Sequence, residues 1–584
     1  MNTFNSLLAS AALAALAAQA GPSQPSAPFH SHVDRYAPPP GRSATEWAAR
    51  AAYLREHVRA SAGLIPLPER TPLNPVIFEE TAHSNYTVSK VYFESLPGFY
   101  VTGNLYRPTG AGPFPAVLSP HGHWLYGRLE NSALVSGPGR AINLARQGFV
   151  VFTYDMIGYN DSRQLTHTFG GRRENLWGLS LSGLQLWNSM RSLDFLQSLP
   201  YVRRDAIGVT GESGGGTQTF LLAAADDRVA VAVPVNMISL HMQGGCLCEN
   251  PPGLRVDTTN VEIAATIAPR PLLMVSATGD WTNETMTAEY PAVRSIYTLL
   301  GAPDRVSAVQ FQADHNYNKD SREAMYAWMA RWLQNAPADA KHAEASFSVP
   351  HLPETLVFYN RSLPSGALTA DQVTAAWIDA ARRQLSTTPL EVRASALRHA
   401  LGFAADAAAS ASTPSHAERS RTVLVAGDTA AVEPLLTRAG YVVRKIPFTA
   451  FDAQAAAKIQ HFETYNRTAA SQRVADIVAA ARANPGAALV ATGDEALAGA
   501  LAAAFAPIAI AVLDAGGFDT SRDADFLDHL YIAGLRRAGD FQTAADMAPG
   551  TLVIHNAGAR FDAGRARVVH TRLDPKEIVA LLRR

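Results

Sequence analysis

From residue 114 onward, short and nearly unbroken apolar runs alternate with longer segments whose apolar residues recur every three or four positions. The runs "FPAVLSP" (114–120), "FVVFTYD" (149–155), "AIGVTG" (206–211), "VAVAVPV" (229–235), "PLLMVSA" (271–277) and "RVSAVQF" (305–311) predict strands buried on both faces. The stretches between them, among them 140–148 and 177–199, predict helices. Strand–helix alternation of this kind predicts an α/β fold, a mostly parallel sheet covered by helices on both faces. Upstream, 43–63 predicts a helix: Ser43 and Glu46 form a capping box, and Trp47, Ala51, Leu54 and Val58 form one stripe. Around 86–106, two β-rich runs broken by Pro97-Gly98 predict a hairpin.

The texture changes after 335. Residues 336–420 predict a helical connector and linker, ending in "ASASTPSHAERSR". Alternation then resumes with "TVLVAG", "YVVRKI", "AALVATG", "IAIAVLD" and "TLVIHNAG", which predicts a second α/β domain over 421–584. At the other end, "LLASAALAALAA" (7–18) followed by Ala18-Gln19-Ala20 predicts a signal peptide over 1–20, hence an exported protein. Residues 21–75 are then an N-terminal extension and 76–335 the first domain.

Length and charge narrow the picture. At 584 residues the chain exceeds one ordinary core. A formal net charge of −1 gives no reason to expect nucleic acid or an anionic membrane as partner. No apolar run is long enough to span a bilayer. Cys246 and Cys248, in "GGCLCENPP", are the two cysteines. A C-x-C bridge is cramped and no companion cysteine is near, so a free pair or a strained bridge is expected, with no metal and no cofactor.

"TGESGGG" carries the chemistry. Gly211-Glu212-Ser213-Gly214-Gly215 fits G-x-S-x-G after an apolar strand and before a helix, where a serine on a tight turn is held out as a nucleophile. An acid and a histidine should follow in that order. Asp280 lies just past "PLLMVSA" and His315 just past "RVSAVQF", which puts all three on one rim of a parallel sheet. Asp314 is the rival acid, disfavoured as His315's immediate neighbour. The backbone N–H of Gly214 and one from "SPHGHW" (119–124), near Gly122 or His123 with His123 preferred, are the expected oxyanion donors. His121 and His123 have no carboxylate cluster to make them a metal site.

These residues resemble the α/β-hydrolase superfamily, specifically bacterial esterases of the acetyl xylan esterase and cephalosporin-C deacetylase kind. The similarity covers roughly 75–335 and rests on "VYFESLPGFYVTGNLYRP", "FPAVLSPHGHW", "YDMIGYNDS", "GESGGG", "APRPLLMVSATGDW" and "ADHNYN". It implies a serine ester hydrolase working through Ser213, Asp280 and His315 on small-molecule or polysaccharide esters, acetyl esters of plant-polysaccharide sugars foremost. Glu212 and the triple glycine depart from the Gln-Gly-Gly of many deacetylases, which leaves the substrate open. The loop "HMQGGCLCENPPGLR" (241–255) is expected to shape the pocket. A serine peptidase of the prolyl-oligopeptidase kind shares the fold and triad order, but the segment before 75 is too short for its propeller. A non-catalytic carbohydrate-binding protein is the other alternative.

The second domain parallels the first. Matching Ala268-Pro269 to Ala548-Pro549 puts Arg560 at Asp280's place; matching Thr210-Gly211 to Thr492-Gly493 puts Glu495 at Ser213's. The expectation is a degenerate hydrolase-like, non-catalytic domain.

Overall fold

The computed structural model describes residues 29–404 and 420–583. The expected leader at 1–20 lies outside them. Among the described residues, no helix is long and apolar enough to cross a membrane.

The first sheet has nine strands: β1 (Val76–Ala82), β2 (Tyr86–Leu96), β3 (Phe99–Pro108), β4 (Phe114–Ser119), β5 (Val150–Tyr154), β6 (Val202–Glu212), β7 (Val231–Val235), β8 (Leu272–Ala277) and β9 (Val306–Phe311). Their spatial order is β1-β2-β3-β5-β4-β6-β7-β8-β9. The first three strands meander antiparallel and β3 pairs antiparallel with β5; from β5 to β9 every pairing is parallel. The β2–β3 hairpin turns at Pro97-Gly98, as the sequence predicts.

Period-two burial sorts the strand residues to two helix layers. Leu118 and Phe152 pack with Trp47, Leu184, Trp187 and Phe220 on one face. Their neighbours Val117 and Val151 pack with Ile142, Leu144, Met325 and Met329 on the other. Ser43 caps the helix Ala44–Ser61 with the expected box, and Trp47, Ala51, Leu54 and Val58 are buried along its length.

The second sheet has six strands, all parallel: β10 (Thr422–Ala426), β11 (Val442–Lys445), β12 (Ala488–Thr492), β13 (Ile510–Asp514), β14 (Thr551–His555) and β15 (Arg567–Val569). Their order, β11-β10-β12-β13-β14-β15, repeats that of the parallel strands β5-β4-β6-β7-β8-β9. The two sheets share packing. Ile65 and Leu176 enter the core beneath the second sheet. Arg537 donates to the carbonyls of Gly63 and Pro66 at 3.3 and 2.5 Å. Between the sheets, the helices Ala370–Leu385 and Leu390–Ala400 fill the connector, and Trp377 donates its indole N–H to Trp177 O at 3.0 Å.

Candidate active site

Ser213 stands where β6 gives way to the helix Gly214–Ala225, with φ 56° and ψ −123°. A side chain in that region costs about 1–3 kcal/mol, so the surrounding structure has to enforce it. It does so through the backbone: the Ser213 N–H donates to Val235 O on β7 at 3.0 Å. Close packing demands the neighbouring glycines. A Cβ on Gly211 would lie 2.5 Å from Pro120 O, and one on Gly215 would lie 2.8 Å from the His121 backbone. The strand-to-helix turn read from the sequence is therefore a tight junction between β6, β7 and the loop after β4.

Asp280 and His315 sit on the loops after β8 and β9, at the same end of the sheet. His315 Nδ1 lies 2.8 Å from Asp280 Oδ2, and the Asp280 side chain is only 2 % exposed. Thr282 occupies the other carboxylate oxygen with its N–H at 2.7 Å and its hydroxyl at 2.5 Å, which leaves Oδ2 to the imidazole. It is Asp280, not Asp314, that pairs with the ring. Trp281 and Trp124 lie against His315, with ring centroids 4.4 and 6.2 Å away. Gly122 joins this rim to the serine: a Cβ there would lie 3.0 Å from Trp124 Nε1 and 3.2 Å from Ser213 Cβ.

Glu212, which the sequence marks only as a departure, ties this loop down. Its Oε1 accepts from the Gly122 N–H at 3.1 Å and from the Trp124 indole at 2.9 Å. Its Oε2 receives Arg140 at 2.8 Å, and both partners are 1 % exposed. Of the two expected donors in the loop, Gly122 is thus committed to Glu212 and His123 remains. His121 is not a metal ligand here: Nε2 accepts from the Met156 N–H at 2.9 Å and Nδ1 lies 2.7 Å from Gly122 O. Burial holds it neutral, its pKa lowered to about 3.

No family model matches the chain. "Putative hydrolase YtaP" of Bacillus subtilis is 26% identical over 289 residues, covering 46% of this chain and 95% of that protein. The "4-O-methyl-glucuronoyl methylesterase" of Phanerochaete carnosa is 22% identical over 349 residues, covering 51% of this chain and 79% of its own. Among solved structures, "Methylesterase BT1017" aligns with a TM-score of 0.51 at 29% identity, covering 60% of this chain and 78% of that one. Strand order, the positive-φ serine and these likenesses agree. This is an α/β-hydrolase fold.

Around the α/β-hydrolase core, "YDMIGYNDS" proves structural. Arg128 lies 3.1 Å from Asp155 Oδ1 and 2.7 Å from Asp161 Oδ2, all three buried. Asp161 then accepts the N–H groups of Val357 and Phe358 at 2.8 and 2.9 Å, which fastens the connector to the first sheet.

The cysteine loop holds the expected free pair, but in company the sequence does not announce. Cys246 and Cys248 are free thiols, and their companions are histidines from two other loops: His123, after β4, and His167, after β5. The sequence offers no companion because these residues lie 79 or more positions away. The loop is also braced by the C-terminal half. Thr464 and Tyr465 donate to the backbone and side-chain oxygens of Asn250 at 2.9 and 2.5 Å. The Arg255 N–H donates to Thr464 O at 2.9 Å and the Gly253 N–H to Glu463 O at 2.8 Å.

The second sheet repeats the turn without the serine. Gly493, between β12 and the helix Asp494–Ala502, has φ 64° and ψ −139°. Its N–H donates to Asp514 O on β13 at 3.0 Å, as Ser213 does to Val235. Gly493 therefore stands at Ser213's place, and the alignment that put Glu495 there is two residues out of register. The Arg560 match survives: Val235 pairs with Val275 as Asp514 pairs with His555, five residues before Asp280 and Arg560 respectively. At this end of the second sheet a cavity of about 420 Å³ is lined by Asp428, Thr492, Asp514, His555 and Arg572.

Proposed function

We propose that the chain is an exported serine carboxylic-ester hydrolase acting on carbohydrate esters. The observation that carries this reading is the Asp280–His315 pair at 2.8 Å on the rim where Ser213 is held at φ 56°. Ser213 Oγ attacks the ester carbonyl while His315, through Nε2, takes its proton. Asp280 keeps the Nδ1–H side of the ring oriented and balances the imidazolium. The Gly214 and His123 N–H groups receive the developing oxyanion. The alcohol leaves with the proton from His315, and water, activated by the same ring, releases the acid and restores Ser213.

The deacetylase resemblance favours acetyl esters on polysaccharide sugars. A second reading has support of its own: two of the similar proteins carry "methylesterase" in their names, one for a 4-O-methyl-glucuronoyl ester. There the sugar would supply the acid and methanol would leave. One experiment tests both. Purified full-length protein is incubated with acetylated xylan and with a methyl-esterified uronate polymer, and acetate and methanol are measured. Release of either that vanishes in Ser213→Ala supports the hydrolase and assigns the ester. Release unchanged in that variant, or no release from any carbohydrate ester, overturns the reading.

A further inference from the structure

Four side chains with the ligand chemistry of a thiophilic metal converge beside Gly214. They are His123, His167, Cys246 and Cys248, one ligand atom from each, all within 4.8 Å of one another. His123 Nε2 lies 3.2 Å from His167 Nε2 and 3.1 Å from Cys248 Sγ. A zinc ion at about 2.0–2.1 Å from imidazole nitrogen and about 2.3 Å from thiolate has ligand–ligand edges of roughly 3.3–3.8 Å. These two edges are already near that, and the longest separation needs to close by at most about 1.5 Å.

The surroundings add an independent sign. His167 Nδ1 lies 2.6 Å from Ile157 O, so its N–H is spent on that carbonyl and Nε2 turns a lone pair toward the cluster. This is the outer hydrogen bond that fixes the tautomer of a metal-bound histidine. The His167 Nε2 lone pair, His123 Nε2 and the sulfurs of Cys246 and Cys248 thus converge on one point. A divalent cation satisfies all of them at once.

We infer that His123, His167, Cys246 and Cys248 form a tetrahedral zinc site. Two nitrogen and two sulfur donors select zinc over calcium or magnesium, and four protein ligands with no open position make the ion structural. Both thiols bind as thiolates and release their protons to solvent; no redox step is involved. The ion would join three loops, those after β4 and β5 and the loop 241–255. One of its ligands rests against the serine turn: a Cβ on Gly214 would lie 2.5 Å from His123 Cε1. Zinc thereby becomes a positioning element for the His123 loop. The inference does not depend on the ester-hydrolase reading.

The test uses untagged full-length protein, purified without added metal, with zinc content measured by mass spectrometry and esterase activity assayed on the same sample. The expected result is about one zinc per chain in the wild type and in Ser213→Ala, and less than about a tenth in the Cys246→Ser/Cys248→Ser double variant. After chelation, cobalt(II) should give the thiolate charge-transfer and intense visible bands of a tetrahedral site, reversed by zinc. Should the double variant not fold, His167→Ala, which keeps both thiols, must lose the cobalt spectrum or bind zinc at least tenfold more weakly. Metal-free protein that takes up neither ion with its thiols reduced overturns the site, as does a Cys246–Cys248 disulfide in the untreated protein. Active protein that holds no zinc as purified and takes up neither ion would sink this inference alone and leave the hydrolase reading standing.

Discussion

Ser213 and Gly493 occupy the same turn in two sheets of the same parallel strand order. Both have positive φ, both cap the helix that follows, and both donate to the last residue of the next strand. Even the preceding residue has the same task. Glu212 receives the Gly122 N–H from the loop after β4, and Thr492 Oγ1 receives the Asp428 N–H from the loop after β10, at 2.8 Å. The turn is therefore a property of the fold, set where a parallel strand meets its helix beside a neighbouring loop. What differs is what it carries. Glycine adopts that conformation cheaply; serine there keeps about 1–3 kcal/mol of strain, a cost that only a use for the hydroxyl explains.

The largest expected effect is in the chemistry. Ser213→Ala should lower kcat by about 10⁴ or more on whichever ester proves to be the substrate. Ser213→Gly should be equally inactive yet unfold at higher urea, gaining about 1 kcal/mol or more as the strain is relieved. A glycine variant less stable than wild type would break the comparison. Next comes Glu212→Ala, which strands Arg140 in the core and should cost about 3–5 kcal/mol in unfolding free energy. Thr492→Val, its counterpart, should cost only about 1 kcal/mol, the worth of one neutral hydrogen bond. Gly493→Ser should cost about 1–3 kcal/mol and leave kcat unchanged, since Arg560 stands at Asp280's place beside it.

The smallest effect per step concerns acid. Burial lowers the pKa of His121, and likewise of His57 beneath the connector, from 6.5 to about 3. Above 6.5 both rings are neutral whether folded or unfolded and contribute no pH dependence. Between about 6.5 and 3 the unfolded chain binds protons that the folded chain refuses, so stability falls as pH falls, by up to about 1.4 kcal/mol per pH unit for each ring. The loop after β10 carries Asp428 and Thr429 and no such histidine. Hydrogen exchange at pH 5 should therefore rise at 119–124 before it rises at 427–432.

The alternating apolar pattern made most strands of both sheets legible, because a strand buried on both faces writes a continuous run into the sequence. β1 and β15 escaped. The first is largely exposed, and its short apolar run Val76-Ile77-Phe78 gives way at once to Glu79-Glu80; the second is three residues long and begins with an arginine. Ser213 was legible because its neighbours must be glycine. Glu212 was not recognisable as an anchor, since its partners Gly122, Trp124 and Arg140 are contributed by another strand's loop and a helix. The histidines beside Cys246 and Cys248 were hidden for the same reason. A Thr-Gly pair repeated in both halves misled the alignment by two residues, because strand register, not dipeptide identity, decides which residue turns the corner.

The bracing of loop 241–255 also sets a timetable. Asn250 is held by Thr464, 214 residues further along the chain. A chain that emerges N-terminus first can assemble β1 to β9 long before residues 463–465 exist to meet that loop. The first half must then wait, with its serine turn built and loop 241–255 without that brace. The brace arrives late, when the second half folds against the first, and a chain cut short before Thr464 lacks it.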